Sequence, residues 1–171
     1  MSDPAANSQP TTPTADRLKG KTIVYFSSHS FTDSFKSYLN LNHPDTRFIV
    51  LPISYGHGDT TPRMTSDLLA VLKEQPVNAV VFDTTKCDID AVLDGATNPV
   101  NPILPQNRNL PVVLFTGAQM NREKTHYWIT HSMDAPVPKS VSKVLIKPLL
   151  PHELCDRFAD TIDEAQSRQR S

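Results

Sequence analysis

The chain has 171 residues, of which 38% are hydrophobic, and its formal net charge at pH 7 is −1. This length suits one domain with tails, and the nearly neutral charge excludes binding to nucleic acid or to an anionic membrane by charge alone. No apolar segment approaches the roughly 20 residues of a membrane span, and Met1–Asp16 lacks the basic and apolar regions of a secretory signal. Cys87 and Cys155 fit no zinc-binding spacing, so we expect free thiols in a cytoplasmic protein.

Both ends of the chain predict segments outside the folded core. The first residues are rich in Pro, Ser, Thr and Ala, which predicts a disordered arm over residues 1–18. Residues 166–171 are polar and predict a tail. We therefore expect one domain over residues 19–165.

Apolar segments alternate with helical patterns along this domain. Most of the predicted strands are continuous runs of Val, Ile, Leu and Phe, as in strands buried on both faces. The predicted strands are Thr22–Ser27, Arg47–Ile53, Ala79–Asp83, Pro111–Thr116 and Ser142–Lys147. The predicted helices are Phe31–Leu41, Met64–Glu74, Asp88–Leu93, Arg122–Ser132 and Pro151–Ala165. Five such strand–helix units predict a doubly wound α/β domain with a five-stranded parallel sheet.

Polar side chains stand at the carboxyl ends of four predicted strands. These residues are Ser27, Asp83, Thr116 and Lys147. All carboxyl ends of a parallel sheet lie at one edge, where open α/β folds keep their sites. Asp, Thr and Lys act together when a phosphoryl group is transferred to a carboxylate. The aspartate is the nucleophile, the lysine and threonine stabilise the phosphoryl oxygens, and Mg²⁺ brings the two anions together.

Three segments resemble the receiver domain of two-component response regulators, and the resemblance extends from about Lys21 to Ala165. Ala79–Asp83 resembles the phosphoacceptor strand, Pro111–Gly117 the fourth strand with its hydroxyl residue, and Val144–Leu154 the Lys-Pro segment and the start of the last helix. Asp90-Ala91 stands where the family usually has Asp-Gly.

The resemblance implies a CheY-like, flavodoxin-like fold with strand order 2-1-3-4-5. It implies that Asp83 is the phosphoacceptor candidate and that Thr116 and Lys147 are the phosphoryl-binding candidates. It also implies a protein partner such as a histidine kinase, a phosphotransfer protein or an output domain. No nucleic acid or membrane partner is expected.

The first strand departs from the family pattern. Receivers carry two adjacent metal-binding acids after this strand, and Phe26 and Ser27 occupy those positions here. Mg²⁺ prefers an octahedral set of oxygens that includes carboxylates, so we expect weak or absent Mg²⁺ binding and no other cofactor. Val144 stands where the family has its aromatic switch residue. We therefore expect a degenerate receiver that is not an enzyme, in which Lys147 and Asp83 form a standing ion pair.

This pseudo-receiver is expected to act in phosphorelay signalling mainly by binding a protein, through the face of the fourth and fifth strands and their helices, with weak or no Mg²⁺-dependent phosphorylation of its aspartate. Two alternatives stay open. One is a genuine phosphoacceptor that uses Asp83, with Asp33 or Asp88 replacing the missing acids. The other is a flavodoxin-like FMN-binding protein, because Ile23–Thr32 resembles a flavodoxin phosphate loop at a helix N-terminus. The same hydroxyl residues could instead cap the first helix.

Overall fold

The computed structural model describes residues 12–27, 33–53, 61–83, 88–97, 110–129 and 132–170. The first part of the predicted arm, residues 1–11, lies outside the described residues, as do segments 28–32, 54–60, 84–87 and 98–109. The described helices are α1 (Thr14–Leu18), α2 (Asp33–Asn42), α3 (Thr61–Glu74), α4 (Ile89–Thr97) and α5 (Pro151–Arg170). The described strands are β1 (Thr22–Ser27), β2 (Arg47–Pro52), β3 (Ala79–Phe82), β4 (Val112–Thr116), β5 (His126–Ile129), β6 (Ser132–Pro136) and β7 (Lys143–Ile146).

Five of the strands form one parallel sheet in the order β2-β1-β3-β4-β7. Since β7 is the predicted fifth strand, the predicted order 2-1-3-4-5 is confirmed. Helices cover both faces of this sheet, so the fold is flavodoxin-like and CheY-like. None of the helices in the described ranges is long and apolar enough to cross a lipid bilayer.

The core consists of two layers, one on each face of the sheet. Consecutive strand residues point to opposite faces, and β1 shows the result clearly. Phe26 packs in the cluster under α3 and α4, whereas Tyr25 packs in the cluster under α2 and α5. Both side chains are essentially buried. Because of this alternation, the side chains of Tyr25 and Phe26 lie on opposite faces of the sheet.

The last two helices begin with recognisable capping contacts. The carboxylate of Asp88 accepts a hydrogen bond from the backbone N–H of Ala91 at 3.0 Å, which caps α4. Pro151 occupies the first position of α5, where its missing N–H costs nothing. The Glu153 carboxylate accepts a hydrogen bond from the Leu150 N–H at 3.3 Å, as in a capping box.

The predicted disordered arm ends earlier than residue 18. Residues Thr14–Leu18 form α1, and the side chain of Leu18 is fully buried in the α2–α5 cluster. The guanidinium of Arg17 donates to the carboxylates of Asp160 at 2.7 Å and Asp163 at 2.9 Å. Burial of Leu18 and the ion pairs of Arg17 hold α1 on α5. The sequence did not predict the folded helix α1, because a single leucine in a polar segment gives no hydrophobic periodicity.

Two other predicted elements are wrong in part. The polar tail belongs to α5 as far as Arg170. In the described residues of the predicted helix Arg122–Ser132, which leave out 130–131, the antiparallel strands β5 and β6 are found instead of a helix. The side-chain oxygen of Asn121 accepts hydrogen bonds from the backbone N–H groups of Thr125 at 2.8 Å and His126 at 3.3 Å. Such local side-chain bonds compete with helix formation, so a turn and a hairpin replace the fourth helix.

Asp90 joins α4 to the loop before β7. Its carboxylate accepts hydrogen bonds from the backbone N–H groups of Lys139 and Ser140 and from the Ser140 hydroxyl. Burial by itself raises the pKa of Asp90, but the hydrogen bonds from Ser140 and Lys139 outweigh it, so the pKa lies below its usual value. The folded protein therefore favours the charged carboxylate.

Replacing Asp90 with Asn is expected to lower the free energy of unfolding at neutral pH by about 1 to 3 kcal/mol, since charge-assisted hydrogen bonds are lost. Because folding lowers this pKa, the contribution is complete above the pKa of the unfolded chain, about 4, and is lost as the pH falls through the lower folded value. Urea unfolding at neutral and strongly acidic pH should show the difference between wild type and variant shrinking in acid. Asp94→Asn, which removes an exposed carboxylate from the same helix, should leave this pH dependence in place.

Candidate functional site

The predicted site residues lie at the edge of the sheet formed by the carboxyl ends of its parallel strands. We call this edge the rim; its residues are Ser27, Asp83, Thr116 and Lys147. Asp83 directly follows β3, and its backbone N–H donates to the carbonyl of Phe26 at 3.0 Å. Lys147 directly follows β7, and its backbone N–H donates to the carbonyl of Thr116 at 2.9 Å. Ser27 is the last residue of β1, and it is buried. The four residues thus end neighbouring strands, as the sequence predicted.

The carboxylate of Asp83 is enclosed and engaged on both oxygens. Its side chain has 0% exposed surface, and the ammonium group of Lys147 forms an ion pair with Oδ1. The hydroxyl of Tyr25 donates a hydrogen bond to Oδ2 at 3.1 Å. The predicted ion pair between Lys147 and Asp83 is therefore present, and a tyrosine that the sequence did not single out completes it.

Lys147 is the more exposed member of this ion pair. Its side chain is 30% exposed, and its ammonium nitrogen lies 5.2 Å from the centroid of the Phe115 ring. A cation at this distance from an aromatic face is attracted to the ring. The ring and the Asp83 carboxylate together hold the lysine across the rim.

Thr116 is buried at the end of β4. Its hydroxyl oxygen accepts a hydrogen bond from the backbone N–H of Ala118 at 2.9 Å. This contact stabilises the turn that leaves the strand. The Thr116 hydroxyl therefore stabilises the loop that follows β4.

Phe26 and Ser27, the two positions where the family has its acids, lie in different surroundings. The ring of Phe26 is fully buried and stacks on Phe82, with the ring centroids 5.0 Å apart. It therefore points into the core and away from Asp83. The backbone carbonyl of Ser27 accepts a hydrogen bond from the N–H of Ile53 at 3.0 Å. Within the part of the chain that the structure describes, no group of three or more His, Cys, Asp or Glu side chains could hold a metal ion.

Tyr25 is the site residue that sequence reasoning missed. Burial raises the pKa of its hydroxyl strongly, and the negative charge of Asp83 and the hydrogen bond to it act in the same direction. Tyr25 therefore stays protonated and donates to the carboxylate. A signal was available in the sequence, because a tyrosine inside a buried strand needs a partner for its hydroxyl. It lies two residues before Ser27, so its side chain is on the same face of the sheet as Ser27, the face covered by α2 and α5.

The segment that suggested a flavin phosphate loop, Ile23–Thr32, is described as far as Ser27, and residues 28–32 lie outside the described part of the chain. The described part, Ile23–Ser27, belongs to β1. The flavodoxin alternative is therefore neither supported nor opposed by the geometry of the rim.

Comparisons with known proteins show similarity among solved structures. No protein-family model matches the chain, and no curated protein matches it significantly. Among solved structures, the chain is similar to a pilus assembly protein, CpaE from Caulobacter crescentus, with a TM-score of 0.46 and 15% sequence identity. The likeness covers 84% of this chain and 94% of the CpaE chain. At this identity and TM-score it carries no functional argument, and the receiver-like fold rests on the observed sheet.

Proposed function

We propose that this chain is a pseudo-receiver, a receiver-like domain that works in signalling by binding a protein partner and is not phosphorylated at Asp83. The observation that carries the proposal is the state of the Asp83 carboxylate, which is wholly buried and held by both Lys147 and Tyr25. Phosphoryl transfer requires a carboxylate oxygen in line with the phosphorus at roughly 3 to 3.5 Å. An enclosed oxygen that already binds a cation or a hydroxyl group is poorly placed for that approach.

The side chains at the rim also support a domain that works without Mg²⁺, because they offer few atoms that could bind the ion. The ion prefers octahedral oxygen ligands and is reluctant to lose water unless carboxylates bind it. The side chain of Phe26 has no atom that could bind the metal, and it points into the core. The carboxylate oxygens of Asp83 are already bound by Lys147 and Tyr25. The residues therefore do not fit a receiver's metal site, and the proposal includes no cofactor and no catalytic activity.

The standing ion pair explains how such a domain could signal. In the proposed function, Lys147 holds Asp83 permanently in the way that it would otherwise hold a phosphoryl group, so the rim keeps one arrangement. A partner such as a histidine kinase, a phosphotransfer protein or an output domain would recognise that arrangement in the cytoplasm. The proposed surface is the face of β4 and β7, beside which Ile146, the last residue of β7, and Leu150 are exposed.

Treatment with acetyl phosphate and Mg²⁺, followed by intact-protein mass spectrometry, tests this proposal directly. We expect no added phosphoryl group on the wild-type protein, because the Asp83 carboxylate is enclosed. A conventional receiver treated in the same tube confirms that the reagent is active. An added phosphoryl group that disappears in Asp83→Asn would overturn the proposal in favour of the genuine phosphoacceptor. Stoichiometric FMN uptake would favour the flavodoxin alternative.

A further inference from the structure

The side chain of Tyr25 connects the rim to the two helices that cover its face of the sheet. Its hydroxyl donates to Oδ2 of Asp83 at 3.1 Å. The same ring meets Phe35 of α2 and Phe158 of α5 edge to face, with ring centroids 6.2 Å and 6.4 Å apart. Edge-to-face pairs at such distances are a favoured arrangement of aromatic rings. Tyr25 therefore touches the Asp83 carboxylate and both helices at once.

These three rings have little room to move separately. All of them are buried in the cluster between the sheet and the two helices. The backbone of Tyr25 is fixed on both sides, because β1 lies between β2 and β3 and Tyr25 is in register with Val50 and Val81. Since protein interiors are close-packed, a displaced ring displaces its neighbours. A movement of the Tyr25 hydroxyl is therefore passed to Phe35 and Phe158.

The ion pair that the Tyr25 hydroxyl joins can be reached from the surface on one side. Lys147 is partly exposed, whereas the Asp83 carboxylate has no exposed surface. A partner group can therefore reach the cation but not the anion. If the cation moves away, a buried charge is left without its counter-ion, which is costly. The strength of the Tyr25 hydrogen bond depends on the same charge, since a bond to a charged carboxylate is about twice as strong as a bond between neutral groups. The charge of Asp83 therefore decides how firmly the Tyr25 hydroxyl is held.

The helices on the opposite face of the sheet pack on a different β1 residue. Phe26 belongs to the cluster under α3 and α4, where its ring stacks on Phe82. Its neighbour Tyr25 belongs to the cluster under α2 and α5. Because consecutive strand residues point to opposite faces, a displacement of the Tyr25 ring acts first on α2 and α5. This difference between the two faces distinguishes coupling through Tyr25 from a general change in stability.

We propose that Tyr25 couples the Lys147–Asp83 ion pair to the packing of α2 and α5. Packed side chains and hydrogen bonds carry such coupling between distant sites. A partner group that draws Lys147 away from Asp83 loosens the Tyr25 side chain, and the two helices then pack less firmly on the sheet. The inference rests on the proposed function, in which the partner recognises the ion pair at the rim. It adds that this contact changes the α2–α5 face of the domain, where Leu18 anchors α1.

A double-mutant cycle on the whole chain, read by amide hydrogen exchange, tests the proposal. Asp83→Asn removes the charge, and Tyr25→Phe removes the hydroxyl but keeps the ring. We expect each single variant to speed the exchange of the amides of Leu39 in α2 and Ile162 in α5 about fivefold or more. The amide of Leu68 in α3, whose side chain packs on the opposite face, should be accelerated clearly less.

The combined variant decides whether the two effects share one route. Adding Asp83→Asn to Tyr25→Phe should have little further effect on the α2 and α5 amides, because the contact between the two side chains is already gone. Fully additive effects of the two substitutions, or equal acceleration of the α3 amide, would overturn the proposal. If Asp83→Asn does not fold, Lys147→Met/Asp83→Asn removes both charges and takes its place in the cycle. The acetyl phosphate experiment does not depend on these exchange rates, so the two proposals fail separately.

Discussion

Replacing Lys147 with Met is expected to lower the free energy of unfolding by about 3 kcal/mol or more. The substitution keeps most of the side-chain volume but removes the cation from Asp83, whose side chain is completely buried. Tyr25 still donates one hydrogen bond, but a hydroxyl group does not neutralise a buried negative charge. Breaking a buried ion pair from one side is costly for this reason. Urea unfolding at neutral pH, monitored by circular dichroism, measures the loss.

Two controls separate this charge effect from a loss of packing. Lys143→Met removes a lysine from the opposite, amino end of β7, where its ammonium lies 3.7 Å from a carboxylate oxygen of the exposed Glu164. Exposed pairs contribute roughly 0 to 1 kcal/mol, so this variant should stay close to wild type. Adding Asp83→Asn to Lys147→Met removes the unpaired charge and should recover most of the lost stability. A double variant as unstable as Lys147→Met would contradict the electrostatic explanation.

Replacing Phe26 with Asp is expected to prevent folding, even though the family has an acid at this position. The ring of Phe26 is fully buried and stacks on Phe82 in the cluster under α3 and α4. Removing a buried phenylalanine costs about 3 to 5 kcal/mol, and burying a carboxylate in its place costs more. The sum is comparable with the total stability of a typical domain, about 5 to 15 kcal/mol. Circular dichroism and the yield of soluble protein would show the loss of structure.

The conservative variant Phe26→Leu serves as the control, because it keeps an apolar side chain in the cluster. It should remain folded with a loss of about 1 to 2 kcal/mol. If Phe26→Asp instead folded and gained affinity for Mg²⁺ in a titration, position 26 would face the rim, and the assignment of its side chain to the core would be wrong.

The strands could be predicted from the sequence because their signals are local. Continuous apolar runs such as Ala79–Phe82 have few alternatives to a buried strand, and a parallel sheet brings their carboxyl ends together whatever lies between them. This is why the pairing of Asp83 with Lys147 could be expected before any coordinates were known. The helix predicted over Arg122–Ser132 failed because a local turn competes there. The three hydrogen bonds of the Asn121 side chain with Thr125 and His126 outweigh a weak helical pattern.

By itself, the sequence determined the five strands of the parallel sheet, the edge that carries the polar residues, and the lysine–aspartate pair at that edge. Only the tertiary structure decided that Tyr25 holds the second oxygen of Asp83 and that Phe26 turns into the core. The physical reason is the range of the interactions. Strand formation depends on neighbouring residues, whereas the partner of a buried hydroxyl depends on which distant elements pack against it.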